Sequence, residues 1–354
     1  MTRVHAILAA CTAALCAGCG VAGGLEIDHP VTQTPATQPA AAGVSETPTT
    51  SGPATIASPG PSPIVPHGLT AIPIPATAIA WWNHIVWGVT TVDARPSLFE
   101  IAMANNTVTR GPRLPGDTSY PGGLAVGAEG IWLIGNRRLV RVDPRSGRTT
   151  AVSRLQGQPR AILVADGSVF ALVARGRSGT LVRLDAATGR VTWQAAAGGA
   201  PAALTTLAGS VWVGDAGDGV VRQIDETTGR ALTTVTMPGR GAPLQITASG
   251  GFVWAITATS VVRIDPAGGV PRSSVSLGGG RRGITFAAGT SAIWALVRAP
   301  FEPSAVVVRI DAATGGPVDG DLPAGKAPSA LATGDNAIWV IDDAGAVVRI
   351  DPSP

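Results

Sequence analysis

The stretch Gly130-Ile131-Trp132-Leu133, followed by Leu139-Val140-Arg141-Val142-Asp143, decides the fold. Aliphatic and β-branched residues flank a lone Trp, Gly punctuates the run, and Asp opens a turn, which is the pattern of two short strands. The first half returns along the chain as Val86-Trp87, Ile131-Trp132, Val169-Phe170, Val211-Trp212, Val253-Trp254, Ile293-Trp294 and Ile338-Trp339. Successive aromatics are 45, 38, 42, 42, 40 and 45 residues apart. The second half follows each aromatic by about ten residues, as Arg183-Leu184-Asp185, Ile224-Asp225, Arg263-Ile264-Asp265, Arg309-Ile310-Asp311 and Arg349-Ile350-Asp351. The first repeat keeps only its apolar part, Leu98-Phe99-Glu100-Ile101. Seven copies cover residues 69–354 at about 41 residues each, within the ~40–50 residue span of propeller blades.

Each copy reads as four strands: one like Gly123-Leu124-Ala125-Val126, the Trp strand, the Arg-Val-Asp strand, and a Thr/Val-rich strand beyond the Asp turn. No segment sustains a helical period with caps. A four-stranded sheet has two faces to bury, and radial stacking of such sheets buries both, which places the recurring Trp between neighbours. The expected fold is therefore all-β, a seven-bladed propeller. The last repeat stops after its third strand, while Leu69-Thr70-Ala71-Ile72-Pro73-Ile74-Pro75 matches the fourth-strand text Leu232-Thr233-Thr234-Val235-Thr236-Met237-Pro238. Residues 69–75 are expected to supply the missing outer strand and close the ring, with Pro73 tolerated on an edge. These repeats resemble seven-bladed propellers of the YVTN/NHL type, including the streptogramin-lyase-like group. The resemblance implies the fold but no single activity, because the architecture hosts enzymes, sensors and scaffolds.

The N-terminus reads as an address. All three cysteines, Cys11, Cys16 and Cys19, fall there, so the rest of the chain has no thiol, disulfide or Cys-based metal site. Arg3 precedes an apolar run over residues 4–17, too short for a bilayer span of ~20 helical residues. Leu15-Cys16-Ala17-Gly18-Cys19 resembles the lipobox of bacterial lipoproteins, with Cys16 where Leu is usual. That resemblance implies a signal peptide over 1–18, lipidation of Cys19 and a place on the outer side of the cytoplasmic membrane or in the cell envelope. Residues 20–66 hold nine prolines and no aromatic, too little apolar surface to offset ordering entropy. They are expected to form a disordered tether of about 35–40 Å as a coil. Residues 67–354 are the expected propeller.

The composition excludes several classes. The 354 residues are 45% hydrophobic and 14% charged with a net charge of +3, which rules out a wholly disordered or fibrous chain and gives no concentrated basic field for nucleic acid. The catalytic inventory is sparse: His84 is the lone histidine of the seven repeats over 69–354, and only Glu100, Glu129, Glu226 and Glu302 remain there among glutamates. The Asp residues of the repeated turn are spread evenly round the ring and read as turn caps rather than metal ligands. The run Asp185 to Trp193 resembles the tryptophan-docking motif of quinoprotein propellers, but is complete only once, so no cofactor and no metal is expected.

Topology makes the remaining charge legible. In an up-and-down blade, the second-to-third and blade-to-blade connections share one rim. Those loops carry Arg95, Arg137, Arg138, Arg160, Arg175, Arg177, Arg240, Arg281, Arg282, Arg298 and Lys326 against seven acids, a net +4. The longest of them also present Tyr120 and Phe301. Rigidly held loops are where binding residues concentrate, and Arg suits planar anionic groups. The expected function is a monomeric, lipid-anchored, non-catalytic binding module. Its rim, chiefly Arg137, Arg138, Arg175, Arg177, Arg240, Arg281, Arg282, Tyr120 and Phe301, would meet a protein or an anionic cell-envelope polymer. The alternative is a streptogramin-lyase-like or other metal-assisted lyase or hydrolase using His84 or scattered Asp residues.

Overall fold

The structure is a computed structural model that describes residues 66–93, 95–114, 123–334, 337–342 and 345–352. The expected signal peptide, Cys19 and nearly all of the tether lie outside the described residues, as does Tyr120. The described chain forms seven four-stranded antiparallel sheets, and its one helical element is a single 3-10 turn, Pro238–Arg240. Blades 1 to 6 are continuous in sequence over 76–113, 124–154, 158–198, 201–236, 245–276 and 282–326. Their innermost strands touch in a closed cycle that ends with Ala330–Gly334 of blade 7 against Ala76–Trp82 of blade 1.

Blade 7 is completed from the other end of the chain. Pro66–Ile72 runs antiparallel to Val347–Pro352, with Leu69 opposite Ile350 and Ala71 opposite Val348. The strand lies three residues earlier than the sequence suggested. Pro73 has no N–H to give the ladder, so pairing stops at Ile72 instead of running through it. Ala76 then donates its N–H to Gly345 at 2.6 Å and begins the innermost strand of blade 1.

The repeated Trp is the mortar between blades. Trp87 packs with the first strands of blade 2, Trp212 with blade 5, Trp254 with blade 6, Trp294 with blade 7, and Trp339 with blade 1. Trp132, Trp212, Trp254 and Trp339 are completely buried. The marker arginine stands directly opposite the aromatic: Arg141 faces Trp132, Arg263 faces Trp254, Arg309 faces Trp294 and Arg349 faces Trp339. Three of these guanidinium groups lie 5.5–5.9 Å from the ring they face, within cation–π reach. Three of the four facing arginines also bridge to the next blade. Arg141 donates to the Ala187 carbonyl, Arg263 to that of Ala313, and Arg349 to Met103 and Asn106 of blade 1, across the ring closure.

The Asp turns close the other end of these strands. Asp185 Oδ1 accepts from the Thr188 N–H (2.7 Å) and hydroxyl (2.6 Å), and Asp225 and Asp311 repeat the arrangement with Thr228 and Thr314. Hydrogen bonds of this kind favour the carboxylate, so these side chains are held below the ordinary aspartate range, chiefly by the Thr hydroxyl at Asp185 and Asp225. Trp193 does dock on the neighbouring blade. Its Nε1 donates to the Glu226 carbonyl at 3.1 Å, and its ring lies over Gly229, where a built Cβ would stand 2.9 Å from Cε3.

Candidate functional site

The blade order divides the connections between two faces. The first-to-second and third-to-fourth turns form one face, and the second-to-third and blade-to-blade loops form the other. On the turn face, the recurring Asp and Arg markers are spent locally, on the turn caps and on carbonyls of the next blade, while Arg145, Arg148, Arg190 and Arg230 stay exposed. His84 belongs there, in the two-residue turn 83–84 at φ +62°, where its carbonyl accepts the Met103 N–H. Among the described residues no group of three or more His, Cys, Asp or Glu side chains could hold a metal ion.

The loop face is built differently. Arg137 sits in a tight turn at φ +51°, Arg138 opens the third strand of blade 2, and Arg175 and Arg177 flank Gly176 in the hairpin of blade 3. Arg240 ends the 3-10 turn between blades 4 and 5 at φ +52°. Arg281 and Arg282 lead into blade 6, and Phe301 tops that blade's hairpin. Arg137, Arg175, Arg177, Arg240, Arg282 and Phe301 are exposed. Arg160 owes its place to a one-residue bulge between Pro159 and Ala161, which throws it out of the ladder. Blades 1, 4 and 6 carry the same bulge in their innermost strands, a device with no sequence signal of its own.

Some of the loop charge is already neutralised by strand residues that counting loops leaves out. Arg113 pairs with Asp93 at 3.1 Å, and Arg281 with Asp321 at 2.7 Å. Arg222 holds both Asp215, at 3.1 Å, and Asp218. Asp215 is fully buried and also accepts the N–H groups of Gly199, Ala200 and Gly217. Burial alone would push its carboxyl up. The Ala200 N–H and the Arg222 guanidinium lead the contributions that outweigh burial, and the net shift is downward. Gly198, at φ +98°, must lack a side chain, since a built Cβ would fall 1.7 Å from Asp215 Oδ2. By contrast, among the described residues no ion pair engages Arg137, Arg175, Arg177, Arg240 or Arg282.

Between blades 5 and 6 a groove of about 400 Å³ opens beside this face. Val275, Leu277, Val308, Ile310 and Val318 line it, and the Arg281–Asp321 pair forms part of its wall. Asp321 reaches Arg281 because the outer strand of blade 6 skips register, with Leu322 opposite Val307 but Val318 opposite Arg309.

A closed cycle of seven four-stranded antiparallel blades defines the chain as a β-propeller. The chain belongs to the family described as outer membrane protein assembly factor BamB, whose profile matches residues 135–353. Among solved structures it is similar to BamB from Moraxella catarrhalis, with a TM-score of 0.56 and 14% identity over 82% of this chain and 98% of that one. It is also similar to the β-propeller domain of Myceliophteria thermophila Cps50 (Swd1), with a TM-score of 0.62 and 10% identity over 82% and 99% of the two chains. The hydrazine synthase of Kuenenia stuttgartiensis gives 0.52 and 16% over 64% and 74%. At these identities the likenesses establish the fold. No curated protein sequence matches.

Proposed function

We propose that the protein is a non-catalytic protein-interaction module of the cell envelope, anchored by lipid on Cys19 and offering its loop face to a protein partner. The observation that carries this reading is the contrast between the faces. The Asp and Arg markers of the turn face are engaged by caps and inter-blade hydrogen bonds, although Arg145, Arg148, Arg190 and Arg230 stay exposed there. The loop face instead combines exposed Arg137, Arg175, Arg177, Arg240 and Arg282, which no described ion pair engages, with a fully exposed Phe301. Membership of a family described by outer membrane protein assembly favours a protein over an anionic polymer as the partner. The tether and the lipobox-like Cys19 support the anchor, the sparse set of His and Glu side chains in the repeats a scaffold rather than a catalyst, and a ring closed by its own chain a monomer.

The test is retention of a partner from a cell-envelope extract. The wild-type protein is expected to retain one, and Arg175→Glu/Arg177→Glu combined with Arg137→Glu/Arg138→Glu to lose it. Unchanged retention would overturn the loop-face assignment. For the anchor, Cys19→Ala is expected to move the protein from the membrane fraction to the soluble fraction and abolish labelling by a fatty-acid analogue.

A further inference from the structure

We infer that the loop end of blade 6 is the recognition site for a protein segment that carries a carboxylate beside an apolar side chain. The inference rests on the interaction-module reading and sharpens it to one blade. Arg282 and Arg298 stand directly opposite each other on adjacent strands, both exposed, and no described ion pair engages either. Like charges in that relation repel and weaken a sheet, so folding gives no reason for the pair. Lys326 lies on the same blade end, opposite Ser304. The sequence neighbour Arg281 makes the point by contrast, since its charge is taken by Asp321.

The second, independent observation is Phe301. It is wholly exposed, and it holds φ +65°, a region that a bulky residue enters only under strain. Its loop is nonetheless fixed. Ala327 donates to the Pro303 carbonyl at 2.7 Å, Glu302 to that of Ala299 at 3.3 Å, and Pro300 leans on Gly280 of the preceding connection. A pre-ordered aromatic that touches nothing loses little entropy on binding and makes an anchor. Two guanidinium forks suit a carboxylate, and the groove between blades 5 and 6, walled by Arg281, gives a neighbouring apolar residue a seat. A polyanion would use the arginines but leave Phe301 and the groove idle, which favours a protein segment.

The test begins with a randomised phage-displayed peptide library selected on the immobilised propeller. Enrichment of sequences pairing Asp or Glu with Leu, Ile or Phe is expected; no such enrichment overturns the inference. By anisotropy, the enriched peptide should bind Arg282→Glu at least ~10-fold more weakly. Phe301→Ala should also weaken it while leaving any binding of poly-Glu unchanged. Arg282→Glu should meanwhile raise Tm, because it sets an attractive pair against Arg298, so lost binding cannot be ascribed to unfolding. Equal binding of poly-Glu or phosphatidylglycerol vesicles, untouched by Phe301→Ala, would show a diffuse field and overturn the site. If Arg282→Glu and Phe301→Ala keep the envelope partner while Arg175→Glu/Arg177→Glu lose it, blade 6 falls and the loop-face reading stands. If no variant loses it, both fall.

Discussion

The two faces of the ring are made from the same repeats, yet they behave oppositely. On the turn face the same few residues recur in nearly every blade. Asp caps its own turn through Ser or Thr, and the facing arginine donates to the carbonyls of the next blade. On the loop face four blades share an innermost-strand bulge, but the charged side chains differ from blade to blade. Blade 4 buries an aspartate under three N–H groups, blade 3 shows two arginines around a glycine, and blade 6 sets two arginines side by side beneath an exposed phenylalanine. Repetition marks what the fold needs from every wedge; departure marks either a need of one wedge, as at the buried Asp215, or a freedom. Exposed loops on a rigid frame are free to depart, because little of the core depends on them.

Four experiments would break or sharpen that contrast. Deleting 66–72 should have the largest effect, because it strips blade 7 of its outer strand and opens the ring. The loss should take most of the ~5–15 kcal/mol expected of a folded domain and replace one sharp thermal transition by a broad one. A single transition at the wild-type temperature would refute closure. Trp212→Ala should follow, at about 3–5 kcal/mol in denaturant titration, since its ring is wholly buried between blades 4 and 5.

On the turn face, Asp225→Asn should reveal a pH-dependent contribution. The Thr228 hydroxyl and N–H hold the folded-state pKa of Asp225 below its ordinary 3.8. A depressed pKa stabilises the fold above the ordinary value and loses that contribution as pH falls through the lowered one. The wild type should therefore melt higher than Asp225→Asn at neutral pH, with the gap closing in acid melts. A gap that is constant with pH would mean the caps act by shape alone. The smallest effect on stability belongs to the loop face. Arg175→Glu/Arg177→Glu should change it by no more than about 0.5 kcal/mol in denaturant titration. A large loss of stability there would erase the division between the faces.

Much of this was legible before any coordinates. The Val/Ile-Trp and Arg-Val-Asp markers fix the number of blades and the order of strands, because both faces of every sheet must be buried by its neighbours. The fourth-strand text at 69–75 foretells closure, displaced by three residues because the run of matches does not register the missing N–H of Pro73. The loop face was legible as a set of loops but not as an electrostatic surface. Arg113, Arg222 and Asp321 lie in strands, so no reading of loops could show that they neutralise Asp93, Asp215, Asp218 and Arg281. The groove between blades 5 and 6 had no signal, since the skip around Gly320 shows only in the pairing.

The order of residues by itself determined a ring of seven wedges, where the indoles go, and which connections share a face. Those follow from periodicity and burial, properties that each repeat carries within itself. Which charges stay open was decided only when the chain folded. A guanidinium is committed or free according to what stands within about 3 Å of it. At Arg281 and Arg282, adjacent in sequence and opposite in fate, that neighbour arrives from forty residues away, on a strand whose pairing slips.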